Sequence, residues 1–248
     1  KQAKLLGYES WADLSLSTKM AGKINSVEKL LEELRKPSFK AAEIELENLN
    51  NFAYKNGFNV DNQLKPWDIS YWTELQRKEK LNLDQEVLRP WFPLEDVLKG
   101  LFRVCEKLFD IRVIEANGEA PIWNEDVLFF NIFNNCNDKI ASFYLDPFSR
   151  PESKRGGAWM DECLSKNIDP EGNHIIPVAY LVCNQTPPSN NKPSLMSFDE
   201  VQTLFHEFGH GLQHMLTTID LPQAAGINNV EWDAVELPSQ FMENWCFD

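Results

Sequence analysis

Residues 197–216 constrain the fold of this chain more than any other segment does. Ser197 and Glu200 have the spacing of a capping box, in which each of two side chains bonds the backbone of the other residue at a helix start. The stretch TLFHEFGHGLQH, at 203–214, follows and contains three of the four histidines in the chain. The sequence therefore predicts a helix from about Phe198 to about Leu216 that gathers imidazole groups on its surface.

The pattern HEFGH within this helix is typical of a metal site with its own general base. On a helix His206 and His210 are one turn apart, about 6 Å along the axis, so both imidazoles can bind one ion. Glu207 flanks that face, close to a metal-bound water without being a ligand. His214 lies about 12 Å along the axis from His206, which excludes it from the same ion. The competing interpretation is a helix that merely carries imidazoles.

A catalytic zinc site needs a third protein ligand and an open position for water. The segment EWDAVELPSQFMENW, at 231–245, contains four acidic candidates: Glu231, Asp233, Glu236 and Glu243. Asp233 and Glu236 also have the spacing of a helix cap and its partner, so they predict a second helix with Pro238 in its first turn. Spacing alone does not choose the third ligand among these carboxylates.

The rest of the chain divides into a helical region and a region with strands. Helical periodicity dominates residues 1–100, where a helix that begins after Asn25 is expected to end at Pro37. From residue 111 onward the apolar runs indicate extended segments, which are 127–133, 140–146 and 177–184, with a hairpin turn expected at Asn117–Gly118. We therefore predict a mainly α protein of the α+β class with a small, largely antiparallel β-sheet. Its predicted domains are a helical region at 1–100 and a sheet with two metal-binding helices at 101–248.

Charge and apolar patterning exclude several kinds of partner. A formal net charge of −14 argues against nucleic acid and against an anionic membrane surface. No apolar run reaches the length of a membrane span, and the chain does not start with a signal segment. Five widely spaced cysteines without a CxxC pair favour reduced thiols in the cytoplasm or in an organelle matrix, such as that of a mitochondrion or chloroplast. The sequence gives no indication of the oligomeric state.

Long parts of the chain closely resemble the thimet oligopeptidase family of zinc metallopeptidases, especially its oligopeptidase A branch. The metal-site motifs are TLFHEFGHGLQHML and GINNVEWDAVELPSQFMENW. Upstream, the similarity continues through LLGYESWADLSLSTKMA, PWDISYW, SFYLDPFSRPESKRGGAWMD and PVAYLVCN. This resemblance implies that Glu236, in the motif ELPSQ, is the third zinc ligand beside His206 and His210, and that Glu207 is the general base.

The resemblance also implies an activity and an architecture. Family members hydrolyse short peptides with one zinc ion, which activates a water molecule, in a deep channel between two mostly helical lobes. They stabilise the tetrahedral intermediate with Tyr and His side chains that follow the zinc-binding helices. We therefore expect this chain, with its zincin-like HExxH helix core, to be part of a larger two-lobed peptidase and incomplete at its C-terminus. The alternative hypothesis is a non-catalytic peptide-binding or scaffold piece that keeps the fold without turnover.

Two further roles remain open at the level of sequence. Glu243, seven residues after Glu236, is either a hydrogen-bonding partner of a ligand histidine or an ordinary helix carboxylate. Gly156, Gly157 and Ala158, in RGGAW, form either a strand along which a substrate backbone lies or a plain loop, and the loop is favoured. Gly209 and Gly211 are unfavourable inside a helix, which indicates close approach of another element near the metal.

Overall fold

The computed structural model of the chain describes residues 1–59, 63–81, 85–189 and 193–247. The chain divides into two compact units, Lys1–Val87 and Leu88–Asp248. The domain boundary at residue 100, which rests on helical periodicity alone, stays a prediction. Among the helices of the described ranges, none combines the length and the apolar character that crossing a bilayer requires.

The first unit is helical, as its periodicity predicts. Its helices are α1 (Gln2–Leu5), α2 (Trp11–Leu16), α3 (Ile24–Lys55) and α4 (Pro66–Leu81), and the short helix α5 (Gln85–Leu88) follows. Within this unit, Phe52 of α3 meets Trp72 of α4 edge to face at 6.4 Å between ring centroids. Leu49 and Ala53 are the buried residues of α3, so this helix is anchored near its C-terminal end.

The helix break predicted at Pro37 is wrong, because α3 continues through this residue for 32 residues in all. A proline in a helix interior removes one backbone hydrogen bond and crowds the preceding turn. Both sides of Pro37 are rich in Leu, Glu, Lys and Ala, which are strong helix formers. The long ladder of hydrogen bonds on both sides therefore outweighs one missing bond.

The second unit contains a sheet of five strands covered on one face by helices. The helix α6 (Leu94–Phe109) precedes the strands. The strands in chain order are β1 (Arg112–Glu115), β2 (Leu128–Phe133), β3 (Lys139–Phe148), β4 (Trp159–Leu164), β5 (Asn167–Ile168), β6 (His174–Ile175) and β7 (Val178–Gln185). The five-stranded sheet has the order β1-β2-β3-β7-β4, and β5 with β6 forms a separate pair. Among the strands of the described residues only β3 and β7 pair in parallel, so the α+β class with a small, largely antiparallel sheet is confirmed.

The tight hairpin predicted around Asn117–Gly118 is wrong in its pairing. Gly118 does form a turn with a φ of +91°. However, β1 pairs with β2, which begins ten residues after Gly118, and not with the segment just after the turn. Pro121 lies in that segment and has no N–H to donate to a strand ladder. The pairing of β1 is therefore decided by the longer apolar run of β2.

The core of the second unit lies between the sheet and α7 (Phe198–Met215). Alternate residues of β3, such as Phe143 and Leu145, are buried in it, and so are Leu204 and Phe208 of α7. Phe143 and Phe208 meet edge to face at 5.4 Å between centroids. This packing fixes the orientation of α7, and with it the direction in which its histidines point.

Candidate metal centre

The capping box predicted for α7 is present. Ser197 N–H donates to Glu200 Oε2 (2.6 Å), and Glu200 N–H donates to Ser197 Oγ (3.2 Å). Arg89 donates to the same Glu200 carboxylate at 3.0 Å. The helix ends at Met215, one residue before the predicted end. The start of the histidine-bearing helix is thus held by the predicted capping box, and also by the bond from Arg89, which the sequence did not indicate.

His206, His210 and Glu236 bring three possible ligand atoms to one place. Glu236 Oε2 lies 3.2 Å from His206 Nε2 and 3.1 Å from His210 Nε2. All three atoms lie within 4.8 Å of one another. Ligands about 2.0–2.2 Å from one tetrahedral ion are about 3.4 Å apart, so this spacing is close to that of a zinc site.

Among the four acidic candidates in the described residues, Glu236 is the one that reaches both imidazoles. It stands at the N-cap position of the second helix, α8 (Leu237–Glu243), without a side-chain capping bond, and Pro238 lies in the first turn as predicted. The helix cap predicted at Asp233 is wrong, because residues 232–236 form turns and the N-cap of α8 is Glu236, three residues later. Ser239 Oγ lies 2.9 Å from Glu236 Oε2 and donates toward it, which orients the carboxylate from within α8.

Two glycines of α7 allow other elements to approach the donors closely. A Cβ added to Gly209 would lie 2.5 Å from Pro238 O and 2.6 Å from Ser239 Cα, both at the start of α8. A Cβ added to Gly211 would lie 3.0 Å from a methyl group of Leu181 in β7. The cost of two glycines in a helix interior is therefore offset by the packing of α8 and of the sheet against α7.

Glu207 is buried beside the three donor atoms, with 6% of its surface exposed. The pKa of Glu207 is raised to about 7, mainly because burial disfavours its charged form; His206 partly offsets this rise, and the nearby Glu236 adds to it. A carboxylate with a pKa in this range can accept and return a proton near neutral pH.

The histidine His210 is buried and has a lowered pKa, mainly because burial disfavours its charged form. A neutral imidazole is the form that binds a metal. Its Nδ1 has no hydrogen-bond partner among the described residues. The donor set is therefore two imidazoles and one carboxylate, which is chemically suited to zinc.

Glu243 lies behind His206, at the C-terminal end of α8. Its Oε1 is 2.6 Å from His206 Nδ1, and its Oε2 accepts a bond from Gln202 Nε2 at 2.9 Å. The bond with His206 is the main reason why the pKa of Glu243 is lowered. A carboxylate at Nδ1 favours a proton on that nitrogen, so the lone pair of Nε2 faces Glu236.

The remaining histidine of α7, His214, is fully buried and takes no part in the donor group. Its Nε2 lies 2.9 Å from Leu164 O at the end of β4. Gly226 packs so closely on it that an added Cβ would lie 2.5 Å from His214 Nδ1. Its place in the fold is therefore structural, between the edge strand and the segment that leads to α8.

A cavity of about 340 Å³ opens beside the donor atoms. Ala158, at the entrance to β4, lines it, whereas Gly156 does not. Gly157 and Ala158 line a neighbouring cavity of about 250 Å³, and Gly157 has a φ of +96°. The segment 155–158 is irregular and β4 begins at Trp159, so these residues precede the strand and do not form part of it; their part in substrate binding stays a prediction.

Sequence reasoning missed several residues at this site. Gln202, one turn before His206, was detectable because residues four apart share a helix face. Ser239 was detectable in the same way, because residues three apart in a helix also share a face and it follows Glu236 by three residues. Trp232 and Ile227 line the cavity from a segment without regular periodicity, so no local pattern indicated them. A larger cavity of about 910 Å³ between α7 and α8 contains none of the donor residues, so volume alone would not locate the site.

Comparison with known proteins gives consistent matches over the whole chain. A model of peptidase family M3 matches residues 1–248. The organellar oligopeptidase A, chloroplastic/mitochondrial, of Arabidopsis thaliana is 50% identical over 250 residues, which cover 100% of this chain and 32% of that protein. The probable cytosolic oligopeptidase A of the same plant is also 50% identical, with 100% and 36% covered. Oligopeptidase A of Escherichia coli is 48% identical over 246 residues, with 99% and 36% covered. The chain thus spans about a third of the length of the curated relatives it matches.

Proposed function

Because this chain belongs to peptidase family M3, we propose that it forms the metal centre of a zinc-dependent endopeptidase that hydrolyses short oligopeptides. The membership confirms the resemblance to oligopeptidase A that the motifs indicate. The observation that carries the proposal is that the ligand atoms of His206, His210 and Glu236 lie within 4.8 Å of one another. Glu207 is buried beside them.

We propose that one zinc ion per chain is held by His206 Nε2, His210 Nε2 and Glu236 Oε2. Two imidazoles and one carboxylate form a common donor set of catalytic zinc in peptidases, and a neutral His210 supports this assignment. A zinc ion in this position supplies Lewis acidity, which lowers the pKa of a bound water toward about 7 and polarises a carbonyl group.

We propose that Glu207 is the catalytic base. Its carboxylate accepts the proton of the attacking water and then delivers it to the nitrogen of the leaving amine. Burial supports both steps, because a carboxylate whose pKa is raised to about 7 binds and releases a proton with little cost near neutral pH. Its position next to His206 in the chain keeps it beside the ligands without making it one.

We propose that the substrate backbone lies along the edge of the sheet that leads to this cavity. In the five-stranded sheet of the described residues, β4 is an edge strand, and it pairs only with β7. An extended peptide can bond to such an edge. Gly156, Gly157 and Ala158 precede β4, and the two glycines leave room for a second backbone to approach. Peptide substrates also agree with the names of the relatives.

We propose that the protein acts in the cytoplasm or in an organelle matrix, in a mitochondrion or chloroplast. Relatives named as organellar and as cytosolic support this setting. The net charge of −14 argues against nucleic acid and against an anionic membrane surface as partners.

We propose that Glu243 positions His206 for metal binding through its bond to Nδ1. Changing Glu243 to Gln weakens this bond and relaxes the choice of tautomer, so we expect zinc affinity to fall by about 10–100-fold. Competition with a fluorescent chelator measures the affinity. Glu106→Gln, on an exposed face of α6, is the matched control and should leave the affinity unchanged. Equal affinity of both variants would show that Glu243 is an ordinary helix carboxylate.

The main experiment compares the full-length protein with its Glu207→Gln variant. Metal content is measured by mass spectrometry, and cleavage is measured with a short quenched peptide. We expect one zinc per chain in both proteins and a loss of cleavage of about 10²–10⁴-fold in the variant, since only the base is removed. Zinc-loaded wild-type protein that binds peptides but does not cleave them would instead support a non-catalytic peptide-binding or scaffold role.

A further inference from the structure

The cavity at the metal centre lies between two walls that are distant in the sequence. One wall is β4 with the residue before it, and Met160 and Ala158 line the cavity from there. The other wall is the segment 216–236 between α7 and α8, which contributes Ile227 and ends at the proposed ligand Glu236. A peptide that bonds to the edge of β4 reaches the metal in the right alignment only if the two walls keep a fixed separation.

Asn228 connects these two walls. Its Nδ2 donates to Glu162 Oε2 at 2.6 Å, to Ser165 Oγ at 2.9 Å and to Pro222 O at 3.0 Å. Glu162 belongs to β4, and Ser165 follows the end of this strand. Pro222 lies in the same segment as Asn228 itself. One amide group therefore holds β4 to the segment 216–236 and also bonds within that segment.

Glu162 is the charged acceptor in this group of bonds. Its Oε2 also accepts the hydroxyl group of Ser165. Burial by itself would raise the pKa of this carboxyl group, but the bonds from Ser165 and Asn228 and the nearby His214 hold it below its ordinary value. The carboxylate is therefore ionised at neutral pH, and bonds to an ionised acceptor are about twice as strong as bonds between neutral groups.

The bond between Glu162 and Asn228 lies just beyond the residues that line the cavity. Ile227, next to Asn228 in the chain, lines the cavity from one wall. Met160, two residues before Glu162, lines it from the other wall and shares a face of β4 with that residue. Among the described residues, neither Glu162 nor Asn228 lines the cavity or belongs to the donor group. Their contact therefore acts on the walls and not on the metal.

We propose that Glu162 and Asn228 are positioning residues for peptide hydrolysis. Their bond fixes the separation between β4, along which the substrate backbone lies, and the segment that carries Glu236. This inference rests on the proposed peptidase function and adds to it two residues that act through the walls of the site. A misplacement of about 1 Å between reacting groups can reduce a rate about 100-fold, so loss of the bond should lower kcat more than it raises KM.

Other contacts hold the same parts of the chain together, so variants without this amide–carboxylate bond should keep the fold. His214 Nε2 of α7 lies 2.9 Å from Leu164 O at the end of β4. Gln213 Nε2 of α7 donates to Gly226 O at 3.2 Å, within the segment 216–236. Removal of the bond therefore tests alignment and not folding.

The experiment measures kcat and KM of the full-length protein with a short quenched peptide. In Asn228→Ala and in Glu162→Ala we expect kcat to fall about 10–100-fold and KM to change less than about 3-fold, with one zinc per chain retained. The double variant should lose about as much as either single variant, because both substitutions remove the same bond. Glu162→Gln keeps an oxygen acceptor for the amide and should retain most of kcat.

Glu119→Ala is the matched control. Glu119 Oε2 accepts from Asn131 Nδ2 at 2.9 Å, which is an amide–carboxylate bond in the same unit between residues that do not line the cavity. This variant should leave kcat and KM unchanged, even where it lowers the free energy of unfolding. An equal loss of kcat in the control, or an unchanged kcat in both Asn228→Ala and Glu162→Ala, would overturn the inference and leave the peptidase function standing.

Hydrogen exchange gives a readout that needs no turnover. The amides of residues 222–235 should exchange about 10-fold or more faster in Asn228→Ala and in Glu162→Ala than in the wild type, and at the wild-type rate in Glu119→Ala. Equal exchange in all four proteins would overturn the inference. A wild-type protein that cleaved no peptide would refute the proposed function, and hydrogen exchange would still decide whether the bond holds the two walls together.

Discussion

At the scale of single residues, Gly209 shows how the metal centre depends on a missing side chain. Gly209→Ala places a methyl group 2.5 Å from Pro238 O, so α8 must move away from α7. We expect the free energy of unfolding to fall by about 1–3 kcal/mol and zinc affinity to fall with it, because α8 carries Glu236. Urea denaturation and metal competition measure the two effects.

Gly100 provides the matched control for this substitution. It lies inside α6, and a Cβ added to it would have no atom within 4 Å. Gly100→Ala should therefore stabilise the protein by about 0.5–1 kcal/mol through helix propensity alone. If Gly209→Ala were equally stabilising, the close packing of α8 on α7 would not exist in solution.

A second residue-scale prediction concerns Asp146, which is buried with Arg150 and Lys154. Burial alone would raise the pKa of Asp146, but bonds from Arg150 (2.6 Å), from Lys154 (3.0 Å) and from Trp123 (3.0 Å) lower it below 3.8. A carboxyl group with a lowered pKa in the folded state stabilises the protein above its unfolded pKa, and this contribution is lost as the pH falls through the folded value.

Asp146→Asn should therefore cost about 3–5 kcal/mol of unfolding free energy at pH 7, because it leaves buried cations without their partner. The difference from wild type should be constant from pH 8 to pH 5 and should shrink below about pH 4. Urea denaturation at several pH values measures it. Asp126→Asn is the control, since Asp126 is 3.8 Å from the same Arg150 but is more exposed, and it should cost less than about 1 kcal/mol. Equal losses of unfolding free energy in the two variants would contradict the prediction that the burial of Asp146 makes its ion pairs important.

At the scale of elements, the sequence patterns predicted those features that depend on bonds between residues close together in the chain. The capping box at Ser197 located the start of α7, and helical spacing placed His206 and His210 on one face. Spacing could not choose Glu236, because its meeting with the histidines depends on how α8 packs against Gly209. The hairpin prediction was wrong for the same reason, because β1 pairs with β2, whose residues are distant in the sequence. Trp232 escaped notice because an exposed residue in a turn carries no periodic signal.

The helix α3 shows that a long helix can tolerate a proline in its interior. Pro37 lies in its interior and cannot donate to the carbonyl one turn earlier. Pro37→Ala restores that bond, so we expect the helix to gain up to about 3 kcal/mol, seen as slower hydrogen exchange in residues 33–41. Ala42→Pro, in the same helix, should cost a similar amount. Unchanged exchange in both variants would mean that α3 is not continuous through Pro37.

At the scale of the whole molecule, the three proposed zinc ligands all lie in the unit Leu88–Asp248. A ligand that binds only the folded state stabilises it, by about 2.7 kcal/mol when its concentration is 100 times the Kd. Local openings that separate α7 from α8 break the site, so bound zinc should oppose them, whereas openings within Lys1–Val87 leave the donors together.

Hydrogen exchange with and without a chelator distinguishes these cases. Removal of the metal should accelerate exchange in α7 and α8 by up to about 100-fold at such a metal concentration, since 2.7 kcal/mol corresponds to roughly that factor. Exchange in α3 is the internal control and should change much less. His206→Ala should exchange at the metal-free rate with or without chelator, because it lacks one donor. Equal acceleration in α3 and α7 would contradict a site confined to the second unit, since it would mean that metal binding is coupled to the folding of the entire chain.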